Sequence, residues 1–280
     1  MSYLIFVSFI WAFSFPLIKG CLTDIDPAFV SFIRMLLSLL VLLPFLRIRG
    51  LGRIVPLKLA AIGAVQFGLM YVAYIASYQY LPAHTIALLT TTTPIFVTMV
   101  NDLHERRFNR LFFFSALLAV IGGAIIKYPD QSLRANMLGI VFVQASNVAF
   151  AAGQVYYKKL AAGRESWNDA HVFALLYAGA VVLTGVVSLA TTSFNEIHLT
   201  APQIMVLFYL GVIASGLCFF LWNRGARYVN EGTLAIMNNL KIPLGIVASL
   251  LLLHESTDIV RLVAGFSLMC AGAWLCERRR

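Results

Sequence analysis

Charged residues are scarce in this chain. Only 12% of the 280 residues are charged and 60% are hydrophobic, whereas about a quarter of an average soluble domain is charged. Apolar runs of roughly 20 residues recur along almost the whole length, which excludes an ordinary soluble fold. Their length and uniformity also exclude a transmembrane β-barrel, whose strands alternate polar and apolar residues in pieces of about ten.

Acidic residues are the scarcest charged group. All 12 fall in predicted loops or near predicted helix ends, so the usual carboxylate relay for protons at membrane depth is missing. The 21 Lys and Arg residues give a net charge of +9. Because this excess falls mainly in loops, where it sets orientation, we expect no nucleic-acid partner.

Metal-binding and catalytic motifs are missing as well. No HExxH or GxSxG motif occurs, and no paired carboxylates lie within a predicted helix, so we expect no enzyme, no metal site and no cofactor. The four cysteines lack metal or redox spacing, and we interpret them as small apolar residues. They are Cys21, Cys218, Cys270 and Cys276.

The chain has ten apolar segments instead. The first lacks a basic flank and a cleavage site, so we interpret it as a helix and not as a signal peptide. The sequence therefore predicts an all-α polytopic membrane protein with ten transmembrane helices in a lipid bilayer. The predicted helices span about 3–22, 27–46, 57–77, 83–101, 110–128, 136–158, 170–190, 203–224, 231–253 and 258–276.

The basic residues predict an orientation for these helices. Fifteen of the 21 Lys and Arg residues lie on the side that holds both chain ends, four lie on the other side, and two fall inside helices. Loops rich in Lys and Arg stay in the cytoplasm. We therefore expect a multi-pass protein of the inner (plasma) membrane with its N-terminus and C-terminus in the cytoplasm.

The second half of the chain repeats the first. An offset of 148 pairs Gly63 with Gly211 and Gly68 with Gly216, and a slightly longer offset pairs the helix-interrupting Pro94 with Pro243. We predict two five-helix repeats, at residues 1–130 and 131–280. Because five is odd, the second copy is inverted in the membrane, which is the basis of alternating access in transporters.

Several residues carry a resemblance to a known family. In the first half they are Trp11-Ala12-Phe13-Ser14-Phe15, Arg34, Ala87-Leu88-Leu89, Pro94-Ile95-Phe96 and Glu105-Arg106, with partial echoes at Tyr228, Gly232-Thr233, Ala235, Pro243 and Glu255. This order resembles the drug/metabolite transporter superfamily, specifically its EamA-type ten-helix members, over essentially the whole chain. The resemblance implies a central cavity and transport of amino acids, amines, organic acids or related metabolites; many bacterial members resemble exporters.

Two predicted helices carry candidate binding residues. Asn147 and Gln154 share one polar face of helix 6, which either lines a substrate cavity or bonds neighbouring helices. In helix 9, Lys241 lies about ten residues from the start, roughly 15 Å deep, with Asn238 on its face. An ammonium group at that depth indicates a functional site, either for a substrate carboxylate or for proton coupling; a fixed internal partner is the alternative.

Arg34 and three aromatic residues complete the candidate site. Arg34 contacts substrate, clamps the two repeats together, or extends to the outer surface. Trp11 lies mid-helix and not at the interface where belt tryptophans occur, and Trp222 occupies the repeat position of Tyr74. We predict these three as cavity walls, with lipid contact or packing as the alternative.

These features together predict a secondary transporter. We expect it to move small organic metabolites (amino acids, organic acids or amines), with import or export left open, by alternating access around a midplane cavity. Protons are a candidate coupling ion, and we expect a monomer. The alternative is a membrane-embedded scaffold or partner subunit without transport activity.

Overall fold

The computed structural model describes residues 1–22, 24–81, 83–127, 136–164, 167–253 and 259–277. Over these ranges the chain folds into ten helices and has no strand, as the sequence predicts. Helices α1 to α5 are Ser2–Cys21, Pro27–Leu42, Ile54–Ser77, the two segments Ala83–Thr90 and Thr93–Glu105, and Arg110–Lys127. Helices α6 to α10 are Met137–Ala161, Asp169–Thr191, Ala201–Ala226, Glu231–Leu253 and Ile259–Glu277.

Polar side chains mark where several helices begin. The Asp26 carboxylate accepts the backbone N–H of Phe29 at the start of α2, and Pro27 occupies the first helical position, where no N–H is needed. The side chains of Asn136 and Asn168 accept backbone N–H bonds in the same way at the starts of α6 and α7. Such caps satisfy N–H groups that the helix itself leaves unpaired.

Five helices are long and apolar enough to cross a membrane within the described residues. They are Pro27–Phe45, which extends α2 by a 3-10 turn, together with α3, α6, α7 and α8. Shorter apolar stretches, also within the described ranges, occur at Ser2–Ser14, Arg110–Ile125 and Ile259–Leu275. The chain is thus a multi-pass membrane protein.

Helix α4 is interrupted just before Pro94, as predicted. Its first segment ends at Thr90, and its second segment begins at Thr93. The hydroxyls of Thr91, Thr92 and Thr93 each donate to the carbonyl three residues earlier, over 2.6 to 2.8 Å. The threonines thereby satisfy carbonyls near the proline, where the regular helical bonds are lost.

Pro243 behaves differently from its repeat partner. It lies inside α9, which continues without a break from Glu231 to Leu253. A proline removes one N–H donor from a helix, and a helix can continue past that loss when its neighbours hold it in place. The prediction that both prolines interrupt their helices is therefore right for α4 and wrong for α9.

The two halves share a local distortion. A π-helical segment replaces regular α-helix at Ala64–Leu69 in α3 and at Leu210–Leu217 in α8. These segments fall at equivalent positions of the two predicted repeats, directly after Gly63 and around its partner Gly211. Such π segments occur often at functional sites because they shift the helical register and redirect backbone carbonyls.

The helix contacts follow a two-fold pattern. Helices α2 and α7, α4 and α9, and α5 and α10 pack against their own repeat equivalents. The contact of α1 with α9 recurs as α6 with α4, and the contact of α3 with α7 recurs as α8 with α2. A two-fold axis that relates the two five-helix units accounts for these paired contacts. The contacts therefore support the inverted arrangement. The predicted boundary between residues 130 and 131 lies outside the described residues.

Candidate functional site

A cavity lies between the two repeats. It offers about 660 Å³ of empty space, including space that is open to solvent, and its walls come from α1, α2, α3, α4, α6, α8 and α9. Five of the predicted site residues line it, namely Trp11, Arg34, Tyr74, Asn147 and Lys241. Seven helices from both halves therefore converge on one space, and most of the candidate side chains meet there.

Aromatic rings form one wall of the cavity. The ring of Trp11 packs against Phe219 at 4.8 Å between centroids and against Phe150 at 6.1 Å. All three side chains line the cavity. Aromatic rings packed in this way keep one another in fixed orientations. The flat apolar surface that they form suits a ligand with a rigid ring system.

The π segment of α8 holds the neighbouring helices in place. The Trp11 indole N–H donates to the carbonyl of Ala214 over 2.8 Å. The hydroxyl of Ser38 donates to the carbonyl of Gly211 over 2.8 Å, and that of Tyr177 to the carbonyl of Ser215 over 2.6 Å. One distorted turn thus provides acceptors for α1, α2 and α7, and it fixes the orientation of Trp11 in the cavity wall.

Arg34 is buried and held by groups from two other helices. Its side chain is only 2% exposed, so it does not extend to the outer surface. Its Nη2 donates to the Tyr71 hydroxyl over 2.7 Å, and both Nε and Nη2 donate to the Ser215 hydroxyl at 3.2 and 3.0 Å. The guanidinium also lies 4.2 Å from the centre of the Tyr71 ring. These contacts join α2 and α3 of the first half to α8 of the second.

Lys241 is the second cation on the cavity wall. Its ammonium nitrogen lies 5.7 Å from the centre of the Trp11 ring, within the range of a cation–π interaction. No acidic side chain is among the described residues that line the cavity. Two cations beside aromatic surface give the cavity an electrostatic preference for anions.

Asn147 lines the cavity but uses its amide N–H groups to brace α4. It donates to the carbonyl of Leu89 over 3.0 Å and to the Thr92 hydroxyl over 3.2 Å. On the opposite side of the α4 break, Asn239 donates to the carbonyl of Thr91 over 2.8 Å. The interrupted segment of α4 is therefore supported from both α6 and α9.

The cavity has a neighbouring space at the end of the bundle that lies opposite the chain termini. A second hollow there is lined by Ile18, Leu22, Ile25, Pro27, Ile75, Tyr78 and Gln79, and it shares Ile18 with the cavity. The hydroxyl of Tyr74, in the cavity, bonds to that of Tyr78, in the second hollow, over 2.8 Å. This tyrosine pair therefore lies where the two spaces adjoin.

The other three predicted site residues form a buried cluster beside the cavity. The Trp222 indole donates to the Gln154 carbonyl oxygen over 2.8 Å, and Asn238 bonds the same amide at 3.4 to 3.5 Å. Trp222 packs against Trp11 with 4.9 Å between ring centres. Gln154, Trp222 and Asn238 are thus brought together, but behind the cavity wall and toward the chain termini.

Charged side chains join the helix ends on the side of the chain termini. Lys158 at the end of α6 pairs with Glu231 at the start of α9 over 3.0 Å, and Lys159 contacts Glu105 at the end of α4. The hydrogen bond from Lys159 lowers the pKa of the Glu105 carboxyl. These pairs connect the ends of α4, α6 and α9 on this side of the bundle.

Other residues of the site were not identified from the sequence. Phe219 lines the cavity from α8, and Phe150 lines it from α6. Ser215, in the π segment of α8, accepts hydrogen bonds from Arg34. Their types are common in transmembrane helices, so nothing in their spacing separates them from packing residues. Tyr71 lies three residues before Tyr74 and on the same face of α3, and this spacing was the one sequence signal that could have identified a further site residue.

Comparison with known proteins agrees with the architecture. A family model described as the EamA-like transporter family matches residues 1–128 and 137–277. A Salmonella typhimurium protein named biotin transporter is 37% identical over 277 residues, which cover 98% of this chain and 92% of that protein. A Pseudomonas aeruginosa protein named probable biotin transporter is also 37% identical, and the match covers 98% of this chain and 96% of the relative.

An Escherichia coli K12 protein named biotin transporter is 36% identical over 98% of this chain and 92% of its own length. A solved crystal structure, only 12% identical, superposes with a TM-score of 0.77 over 99% of this chain and 96% of its own. At that identity the likeness shows the fold alone.

Proposed function

Because the chain belongs to the EamA-like transporter family, we propose that it is a secondary transporter of biotin. Three bacterial relatives named as biotin or probable biotin transporters share 36 to 37% of their residues with it over 98% of its length. A match over nearly the whole of both chains includes the cavity and the helices around it. The names therefore supply a substrate to compare with the chemistry of the cavity.

The lining of the cavity carries the proposal. Biotin has a rigid fused ring system, a polar ureido group and an apolar chain that ends in a carboxylate. Trp11, Phe150 and Phe219 offer flat surface for the rings, and Arg34 and Lys241 offer positive charge for the carboxylate. Hydroxyl groups of Ser146, Thr90 and Thr93 line the same space and suit the ureido group. Two cations among lining residues that include no described acid disfavour an amine as substrate.

Alternating access is the mechanism we propose for movement. Two observations support this: Gln154, Trp222 and Asn238 form a buried cluster on the side of the chain termini, and a second hollow adjoins the cavity on the opposite side. In an inverted repeat, the opposite state forms when the two five-helix units exchange their conformations. With the chain termini in the cytoplasm, as the basic loops predict, the present state receives substrate from outside the cell.

Uptake of labelled biotin into cells tests the proposal. The chain is expressed in a bacterium that requires biotin and lacks its own biotin uptake. We expect growth at biotin concentrations that do not support the parent strain, and saturable accumulation of the label. Trp11→Ala removes a cavity wall and should reduce accumulation, whereas Trp274→Ala, at a side chain that is 54% exposed, should not. Membrane-inserted protein without any accumulation would contradict the proposal.

A further inference from the structure

Two buried polar atoms, both on residues that line the cavity, have no hydrogen-bond partner among the residues that the structure describes. They are Nη1 of Arg34 and Oγ of Ser14. Buried polar groups in folded proteins are almost always paired, because an unpaired one loses its bonds to water without replacement. Unpaired atoms on the wall of one cavity indicate a ligand that completes their bonds.

The remainder of the Arg34 guanidinium is fully engaged. Nε and Nη2 donate to Ser215 and Tyr71, and the Tyr71 ring covers the group at 4.2 Å. These bonds come from α3 and α8, so the guanidinium is fixed before any ligand arrives. A guanidinium stays charged in proteins and matches the geometry of a carboxylate. Nη1 is therefore the one nitrogen of this rigid, charged group that is left to donate to a ligand.

We propose that Nη1 of Arg34 binds the carboxylate of the transported molecule, and that this bond makes the carrier specific for the free acid over its neutral amide. The inference rests on the proposed function, and it adds the group that recognises the negative charge of the substrate. The hydroxyl of Ser14, on the same wall, is available as a second donor. No described acidic side chain lines the cavity, so the substrate supplies the negative charge that the buried guanidinium lacks.

Lys241 has a different place in the cavity. Its ammonium group faces the Trp11 ring at 5.7 Å, beside the aromatic wall. Substitution of Lys241 should therefore weaken the attraction of anions in general and lower the preference for the acid over the amide only in part, whereas loss of Arg34 should abolish that preference. The two cations thus give separable predictions, and Lys241→Gln is the matched control for Arg34→Gln.

Competition for biotin transport tests the proposal. Purified protein in liposomes takes up labelled biotin in the presence of unlabelled biotin or biotinamide, in which an NH₂ group of similar size replaces one carboxylate oxygen. For the wild-type protein we expect biotinamide to inhibit roughly 10- to 100-fold more weakly, the range that one charge-assisted hydrogen bond provides. This ratio needs no substitution, so it holds even if an Arg34 variant fails to fold.

The variants identify the group responsible for that ratio. Arg34→Gln should bring the two inhibition constants together. Ser215→Ala should reduce the ratio partly by loosening the guanidinium, and Lys241→Gln should retain most of it. Equal inhibition by biotin and biotinamide in the wild-type protein overturns this inference alone, because biotin is still transported. A ratio lost in Lys241→Gln and kept in Arg34→Gln also overturns it. Absence of any biotin flux by folded protein contradicts the proposed function and this inference with it.

Discussion

Gln66 and Asn223, 157 positions apart, exchange two amide hydrogen bonds across the interface between the repeats. The distances are 2.8 and 3.0 Å, and both side chains are completely buried. Gly153 packs directly on Gln66, where a Cβ atom would approach its side chain to 2.0 Å. This pair joins the π segment of α3 to α8 and thereby connects the two halves.

Breaking this amide pair should destabilise the fold. Gln66→Leu leaves the Asn223 amide buried without partners, and Asn223→Leu does the same to Gln66. We expect each single variant to lose about 1–3 kcal/mol of unfolding free energy, and the double variant to lose less than the sum. Thermal unfolding in detergent measures all four proteins. A double variant whose loss equals the sum would show that the pair is not coupled.

The close packing of α3 on α7 leads to a second prediction, which concerns the glycines at this contact. A Cβ on Gly179 would lie 1.8 Å from the carbonyl oxygen of Ala60, and one on Gly63 would lie 1.9 Å from that of Leu176. Gly179→Ala should therefore push the two helices apart and greatly reduce the yield of monodisperse protein on size exclusion. Gly20→Ala, which meets nothing within 4 Å, is the matched control and should behave as wild type.

Tryptophan fluorescence should report binding without any transport. Trp11 lines the cavity, whereas Trp274 is 54% exposed and lies on α10, away from it. Biotin titrated into purified protein should change the emission of the wild-type protein and of Trp274→Phe. The change should shrink strongly in Trp11→Phe. An unchanged signal in Trp11→Phe would mean that the substrate binds elsewhere.

Asp169 joins three side chains near the chain-terminus end of the bundle. Its carboxylate accepts bonds from Arg227 at 2.7 Å, from Tyr157 at 2.6 Å and from Trp167 at 3.0 Å. Asp169→Asn should lower stability by about 2 kcal/mol, less than the loss of a fully buried pair, because Arg227 is 21% exposed. Thermal unfolding checks the loss.

Two further variants control for this result. Adding Arg227→Gln to Asp169→Asn should recover part of the stability, since no unpaired charge then remains at that position. Glu196→Gln, at an exposed position, should leave stability unchanged. If Asp169→Asn is as stable as wild type, the bonds of this carboxylate do not stabilise the fold.

Patterns within single helices predicted most of the fold. The length of the apolar runs predicted ten helices with ends close to those of the structure, and the interruption at Pro94 followed from proline chemistry and its threonines. The internal repeat predicted the equivalence of the halves, which the paired π segments support. The helices and the break depend on neighbouring residues along the chain, and the repeat appears when the two halves are compared, so each could be found from the sequence alone.

Contacts between the halves were beyond prediction. The sequence places Arg34 and Lys241 at membrane depth, but the partners Ser215 and Tyr71 follow only from how α2, α3 and α8 meet. Trp222 was predicted as a cavity wall by its equivalence to Tyr74, yet it lies behind Trp11 and bonds to Gln154. The register shifts of the π segments change which side chains face inward, and they have no reliable sequence signature. The binding roles, proton coupling and the monomeric state stay predictions.

Counterflow tests the central claim most directly, because it depends on neither the direction of transport nor its coupling. Liposomes that contain only the purified protein are loaded with unlabelled biotin and diluted into a trace of labelled biotin. We predict a transient accumulation of label above its equilibrium level, which only a carrier with a saturable site produces. Folded, monodisperse protein that gives no accumulation above protein-free liposomes would contradict the assignment of biotin as the transported molecule.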